Sequence, residues 1–405
     1  MATRSKTRLL LIWGGLLAAG WLLTACPPKP VTLETALQRL SPSDYPEFGD
    51  DGRYDQLVPA LEMSLRYLRK LPAERPVLFG PDSYPVAHLI RSLEAFERLA
   101  DQKPPAAELN RIIREQYRVY AAAGDAKTGK VLFTGYYEPL LLGSLSPSEK
   151  YPVAINSRPA DLVEIDLSLF ADDLKGRRIV GRYANRTVTP YPVREQIRRQ
   201  SDFNRIAPPL AWVRDEVDLS NLMIQGSGKV ALADGRLLQI QFDGSNGQPF
   251  RSIGRLLIDQ GKIAADRISM QAIREYLRAH PAEAPQILNY NPRYIFFRLA
   301  DSGPLGALAV PITPLRSIAV DRTLFPSAAL AFITVPVPKV SAGRIAQFEP
   351  RHTFVLAQDT GSAITGAGRV DLFWGHGPEA ELAAGHMKNE GRLFFLVLDP
   401  ARAAS

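Results

Sequence analysis

Two carboxylates bound a glycine-rich stretch near the C-terminus, Gln358-Asp359-Thr360-Gly361-Ser362-Ala363-Ile364-Thr365-Gly366-Ala367-Gly368-Arg369-Val370-Asp371-Leu372-Phe373-Trp374-Gly375. Glycines let the backbone turn sharply and approach a ligand closely, so such a stretch can bring Asp359 and Asp371 to one place. The apolar run after Asp371 disfavours a charged carboxyl and so raises its pKa. A carboxyl that stays protonated near neutral pH is what general-acid chemistry needs. Aspartates beside glycines also cap turns through their side-chain oxygens, and spacing alone leaves both readings open. Asp321, followed by Arg322, has the pattern of half a surface ion pair.

A second group offers hydroxyls, amides and aromatic faces suited to a sugar: Thr134, Tyr136 and Tyr137, then Gln225 and Ser227. Tyrosine pairs on strands are commonly half-buried packing, and on the residues alone that reading is the stronger. Other chemistries fail on spacing. Gly226-Ser227-Gly228-Lys229 lacks the longer glycine spacing of a phosphate loop and is followed by a strand-like run. Ser227 has no nucleophile-elbow frame. His376, Glu379 and His386 form no paired-histidine helix motif, since Gly377-Pro378 interrupts them. No metal and no organic cofactor is expected.

The elements that must position these residues change in texture along the chain. Leu57, Leu61, Leu65 and Leu68 keep helical spacing behind a candidate cap at Asp55. Leu89, Leu93 and Phe96 mark a second helix, and Leu109, Ile112, Ile113, Tyr117 and Tyr120 a third. After Gly124, short apolar runs broken by Gly, Pro and Asp predict strands: 130–137, 176–183, 236–242, 294–299, 308–312, 330–337, 353–356 and 392–398. Helical interludes are expected at 269–278 and 285–288. Many short strands with turn residues favour barrels over an open parallel sheet, and no solenoid repeat is present.

The N-terminus reads differently. Arg4, Lys6 and Arg8 precede an apolar run from Leu9 to Leu23, the pattern of a signal peptide over residues 1–25. The run is short for a membrane-spanning helix, which needs roughly 20 apolar residues. Leu23-Thr24-Ala25-Cys26 resembles a bacterial lipobox, which implies acylation of Cys26, the only cysteine. An internal disulfide is thereby excluded. Residues 26–44 read as a tether, with its proline, serine and charge continuing to about Asp51. The net charge of +7 is mild and includes three signal-region cations. It suits an acidic polymer or membrane surface, and no basic run with interleaved aromatics points to nucleic acid.

Taken together, the 358–375 stretch resembles the three-aspartate domain of the membrane-bound lytic murein transglycosylase A family, whose three aspartates match Asp321, Asp359 and Asp371. Further family-like segments follow the right order: Phe133-Thr134-Gly135-Tyr136-Tyr137-Glu138-Pro139, Ile224-Gln225-Gly226-Ser227-Gly228, Pro249-Phe250-Arg251-Ser252-Ile253-Gly254, Ser269-Met270-Gln271-Ala272-Ile273 and Asn291-Pro292-Arg293-Tyr294-Ile295-Phe296-Phe297. Ser362 departs from the pattern, standing where a second glycine is common.

The resemblance implies a mostly β protein with accessory helices. A double-psi β-barrel would be built from residues 45–138 and 300–400, and a β-barrel-like domain, 139–299, inserted between, with a groove separating them. It implies cleavage of the MurNAc–GlcNAc bond of peptidoglycan with formation of 1,6-anhydro ends. Asp371 would be the acid, Asp359 its tuning partner and Asp321 a support, with Thr134, Tyr136, Tyr137, Gln225 and Ser227 on the sugar. Pro27 after Cys26 implies the periplasmic face of the outer membrane. Two rivals remain at this stage: a hydrolase using Asp371 with Asp359, and a non-catalytic cell-wall-binding lipoprotein.

Overall fold

The structure, a computed structural model, describes residues 31–301 and 303–401. The signal peptide read over 1–25 and the lipidation read at Cys26 lie outside the described residues.

The first part of the chain runs β1 (Leu37–Arg39), α1 (Leu57–Leu68), a hairpin of β2 (Pro76–Phe79) and β3 (Asp82–Pro85), α2 (Val86–Asp101), α3 (Ala106–Gln116), β4 (Tyr117–Ala122) and β5 (Val131–Glu138). Along α2, Val86, Leu89, Leu93, Phe96 and Ala100 recur every three or four residues and form one buried stripe. Three of the sequence expectations need correction here. The cap of α1 is Gln56, in the left-handed region, not Asp55. The third helix stops at Gln116, and Tyr117 and Tyr120 lie on β4, because strand pairing with the C-terminal strand overrides the helical spacing. The expected tether is also shorter, since β1 pairs with β4 and Ala36, Leu37 and Phe48 are buried.

Pro139 then sends the chain into a second sheet. Its strands are β6 (Leu140–Ser144) and β7 (Val153–Asn156), followed by a small appended sheet of β8 (Leu162–Asp166), β9 (Arg178–Ala184) and β10 (Thr187–Pro190). After the short α4 (Arg194–Arg199) and α5 (Phe203–Ile206) come β11 (Pro209–Val213), α6 (Glu216–Gln225), β12 (Ser227–Ala231) and β13 (Leu237–Ser245). Helices α7 (Ile253–Asp259), α8 (Met270–Ala279) and α9 (Ala284–Asn289) precede β14 (Ile295–Ala300). The six-stranded order is β14-β13-β12-β6-β11-β7, and a parallel bridge from Ser157 to Phe297 brings its two edges together.

The last part carries β15 (Ser317–Ala319), β16 (Leu330–Ser341), β17 (Arg344–Asp359), β18 (Arg369–His376), α10 (Pro378–His386) and β19 (Lys388–Leu398). The sheet order β19-β16-β17-β15-β18-β5 closes on itself because β19 also pairs β5. This ring is the double-psi barrel, assembled from both ends of the chain. Its core includes Phe48, Phe96, Phe332 and Phe354, with Phe96 and Phe354 centroids 4.8 Å apart. Residues 308–312, expected as a strand, instead form a tight turn. Gly306 N–H donates to Val310, Ala309 N–H to Gly306 and Ile312 N–H to Pro304, so the segment folds back on itself with a single antiparallel bridge, Leu305 to Pro311, and joins no sheet. Among the described residues, no helix is long and apolar enough to cross a membrane.

Candidate active site

The double-psi ring dictates where the two carboxylates go. Ala319 on β15 pairs with Asp359 on β17 to one side and Asp371 on β18 to the other. One strand therefore separates the two aspartates, about 10 Å between backbones for two strand spacings. On the far side of β18 lies β5, with Thr134 directly opposite Asp371. Residues two apart on a strand share a face, so Thr134 and Tyr136 project toward the carboxylates together.

Each aspartate has its own partners. Thr134 Oγ1 donates to Asp371 Oδ1 at 2.6 Å, while Asp371 Oδ2 accepts no hydrogen bond among the described residues. Asp359 accepts three: from Tyr136 Oη at 2.8 Å, Ala307 N at 2.9 Å and Thr360 N at 2.8 Å. Both are half-buried, walled by protein yet open to a cavity. Burial pushes the Asp371 carboxyl up to about 6; the Thr134 hydrogen bond and Arg369 pull it down, and Asp359 adds a smaller upward push. Burial also raises Asp359, opposed by its three hydrogen bonds and by Arg322.

Asp371 lies where two cavities meet. One, of about 510 Å³, is lined by Asp359, Asp371, Ser227 and Gln241; the other, of about 450 Å³, by Thr134, Arg369, Ile253 and Met270. Both share Tyr136, Gln225, Arg293 and Asp371, so they form one groove between the barrel and the inserted sheet. Gln225 reaches it because Gly226, at φ +81°, ends α6 in the left-handed conformation that glycine adopts without steric cost. Tyr136 lies tilted against Phe373, ring centroids 5.1 Å apart.

Asp321 and Tyr137 are placed differently. Asp321 is absent from the groove lining. It accepts from Thr323 N–H and Oγ1 and from Gly366 N–H at 2.7 Å, and so ties down the loop that carries Gly361, Ser362 and Ile364. Tyr137, expected on the sugar, is only 2% exposed and packs against Ala380, Ala384 and Trp374. Strand alternation sends it away from Tyr136, and its Oη accepts from Asn221. Gly135 shares that hidden side, where a Cβ would sit 2.7 Å from the Ala384 backbone; the glycine lets α10 pack close behind the site. Arg293, Arg298, Arg322 and Arg369 of the groove went unread in the sequence, because isolated arginines on separate elements carry no local pattern. Among the described residues no group of His, Cys, Asp and Glu is arranged to hold a metal ion.

A closed β-barrel set against an inserted sheet, with a half-buried aspartate where the two halves of the groove between them meet, has the form of an enzyme that takes an extended polymer such as a glycan strand. Residues 132–298 match the family model described as the MltA specific insert domain, and residues 316–397 match the 3D domain. The membrane-bound lytic murein transglycosylase A of Escherichia coli (strain K12) is 30% identical over 280 residues, 68% of each chain. The structure is similar to that of a membrane-bound lytic murein transglycosylase from Agrobacterium tumefaciens, with TM-score 0.73, 31% identity and coverage of 90% of this chain and 98% of that one. It is also similar to MltA from Neisseria gonorrhoeae, with TM-score 0.67, 26% identity and coverage of 92% and 98%. The chain belongs to the membrane-bound lytic murein transglycosylase A family.

Proposed function

We infer that this enzyme is a peptidoglycan lytic transglycosylase in which Asp371 is the single acid and base. The observation that carries the assignment is the contrast in partners: Asp359 is occupied by three donors, whereas Asp371, which lines both halves of the groove, has no hydrogen bond to Oδ2 among the described residues. An aspartate engaged by three donors is a poor activator of water, so the site lacks the second working carboxylate of a glycoside hydrolase.

Protonated Asp371 donates to the oxygen linking N-acetylmuramic acid to N-acetylglucosamine, and the bond from C1 to that oxygen breaks. The muramyl 6-hydroxyl oxygen bonds to C1, and its proton returns to the Asp371 carboxylate. The products are a free N-acetylglucosamine 4-hydroxyl and a 1,6-anhydromuramyl end, with no water consumed and the enzyme restored. A pKa near 6 lets one group both give and take the proton. Asp359 holds Tyr136 and disfavours ionisation of Asp371, Thr134 orients the acid, and Gln225 and Ser227 line the path of the sugar. Asp321 acts through the loop it anchors.

We assign residues 45–138 and 300–400 to the barrel domain, with β1 added to its sheet through β4, and 139–299 to the insert. A lipid on Cys26 would anchor the mature protein to the periplasmic face of the outer membrane; this rests on the lipobox-like Leu23-Thr24-Ala25-Cys26 and on Pro27. Membrane binding should disappear with Cys26→Ala and survive in the parent chain.

The deciding experiment digests purified peptidoglycan with the detergent-solubilised full chain and with Asp371→Asn, and weighs the products by mass spectrometry. Fragments one water lighter than hydrolytic ones, absent with Asp371→Asn, are expected. Reducing ends would select a hydrolase, and uncut but bound glycan would leave only a binding protein.

A further inference from the structure

The groove walls carry more positive charge than acid catalysis by one aspartate uses. Seven Lys or Arg residues line its two halves, against only Asp359 and Asp371. The whole chain has 49 Lys and Arg against 42 Asp and Glu, so the excess is concentrated in the groove. Some of it is accounted for locally. Arg255 lies 2.8 Å from Asp259 and Arg298 3.8 Å from Asp243. Arg194 is buried, and its guanidinium donates to the carbonyls of Asn291 and Arg293.

Arg293 and Arg369 are different. Both are half-buried, and neither has a carboxylate within 4.0 Å among the described residues. Arg369 Nε is buried without a hydrogen-bond partner. Arg369 stands two residues before Asp371 on β18 and so shares its face. Arg293 lines both halves of the groove, and its guanidinium makes one hydrogen bond among the described residues, to Gln248 O at 3.1 Å. Burial lowers its pKa with no carboxylate to oppose the shift. Its backbone is fixed in advance, N–H to Asn291 Oδ1 at 3.3 Å and carbonyl to Arg194 at 3.0 Å. A partly buried cation with no ion-pair partner, as Arg293 is among the described residues, is costly, Arg369 reaches Asp371 only beyond ion-pair distance, and an arginine fork matches a carboxylate.

A neutral chitin-like strand offers such a pair hydrogen-bond acceptors but no negative charge. A muramyl residue differs from its neighbour by a 3-O-lactyl arm. That arm ends in a carboxylate on strands stripped of peptide, and otherwise carries a stem peptide with carboxylates of its own. We propose that Arg293 and Arg369 form a carboxylate-binding site that grips the acidic arm of the muramyl residue and thereby selects peptidoglycan over uncharged glycans. The proposal rests on the transglycosylase reading and deepens it.

The test uses the full chain in detergent with three probes: intact glycan strands, strands freed of stem peptides by an amidase, and the neutral N-acetylglucosamine hexamer. Arg293→Gln and Arg369→Gln should each raise KM roughly ten-fold on at least one acidic substrate, the scale of a lost charge-assisted hydrogen bond. Hexamer affinity should move by no more than about two-fold, and Arg369→Lys should recover part of the loss. Loss confined to peptide-free strands identifies the lactyl carboxylate as ligand; loss confined to intact strands identifies the stem. For the unsubstituted enzyme, added salt should raise KM for the acidic strands and leave the hexamer alone, a readout independent of whether the variants fold. Equal weakening toward hexamer and strands, or unchanged KM on both acidic substrates, overturns the proposal. Unsubstituted enzyme that makes no anhydro product defeats the transglycosylase reading instead.

Discussion

Thr134 and Tyr136 stand on one face of β5, and each holds one of the two carboxylates. The Thr134 bond stabilises the ionised form of Asp371, so Thr134→Val should raise its pKa further above about 6. Activity requires the protonated acid and falls as pH rises through that pKa; in Thr134→Val the falling limb should move to higher pH, with kcat reduced about ten-fold as orientation is lost. A pH–rate profile in which the limb stays put would remove Thr134 from this role. Asp371 also bears on stability. Its carboxyl titrates near 3.8 in the unfolded chain and about 6 when folded, so the folded state binds the proton more tightly. Stability should fall as pH rises between these values, by at most about 3 kcal/mol. Asp371→Asn should then unfold at higher urea concentration than the parent at pH 7.5, with the gain disappearing below pH about 4. The sequence pointed to Asp359 and Asp371 because glycine spacing and the apolar Leu372-Phe373-Trp374 act locally. It misassigned Tyr137 because both tyrosines fit a strand, and only the packing of α10 fixes which face meets the groove.

The strand that separates the two carboxylates, β15, is three residues long and fully buried, and nothing in Ser317-Ile318-Ala319 announces it. Longer elements were legible wherever an apolar pattern repeated, as in α2, β16 and β19. The end of α3 was not, because pairing with the distant β19 decides it, and the turn at 304–312 was not, because its apolar run closes on its own backbone instead of joining a sheet. The clearest example of hidden long-range design is Arg316, which immediately precedes β15 and is 2% exposed. Its guanidinium donates to both Asp50 oxygens at 2.8 Å, to Asp55 O, and to Thr353 Oγ1 and Phe354 O. This pair ties the N-terminal segment to the barrel immediately before the strand that spaces the acids. Asp50→Ala strands a buried cation and should cost about 3–5 kcal/mol in urea unfolding. A loss below about 1 kcal/mol would mean that water or repacking satisfies Arg316 instead.

At the scale of the molecule, the groove exists only while the barrel and the insert hold a fixed relation, and beside the Tyr137–Asn221 and Gln241–Leu305 hydrogen bonds two polar clusters hold it. Near the Pro139 connection, the buried Glu138 of β5 accepts from Gln239 on β13 and lies 3.4 Å from Lys229 Nζ on β12. At a second contact, α8 of the insert meets α10 of the barrel: Arg274 pairs with Glu381, and Gln271 Nε2 donates to the Glu381 carbonyl at 2.8 Å. Helix α10 packs directly on β5 and β18, the strands that carry Thr134, Tyr136 and Asp371. Loosening the second contact should therefore act on the chemistry as well as on stability. Each unit has its own apolar core, so weakening their contact permits them to unfold separately. Glu381→Gln keeps the side chain's shape and removes its charge. Calorimetry of this variant should resolve the insert's transition below that of the barrel, and KM for glycan strands should rise because the groove is no longer held at one width. If a single transition persists at the parent temperature with KM unchanged, the α8–α10 contact does not set the groove, and the same two measurements on Glu138→Gln should then show the separation.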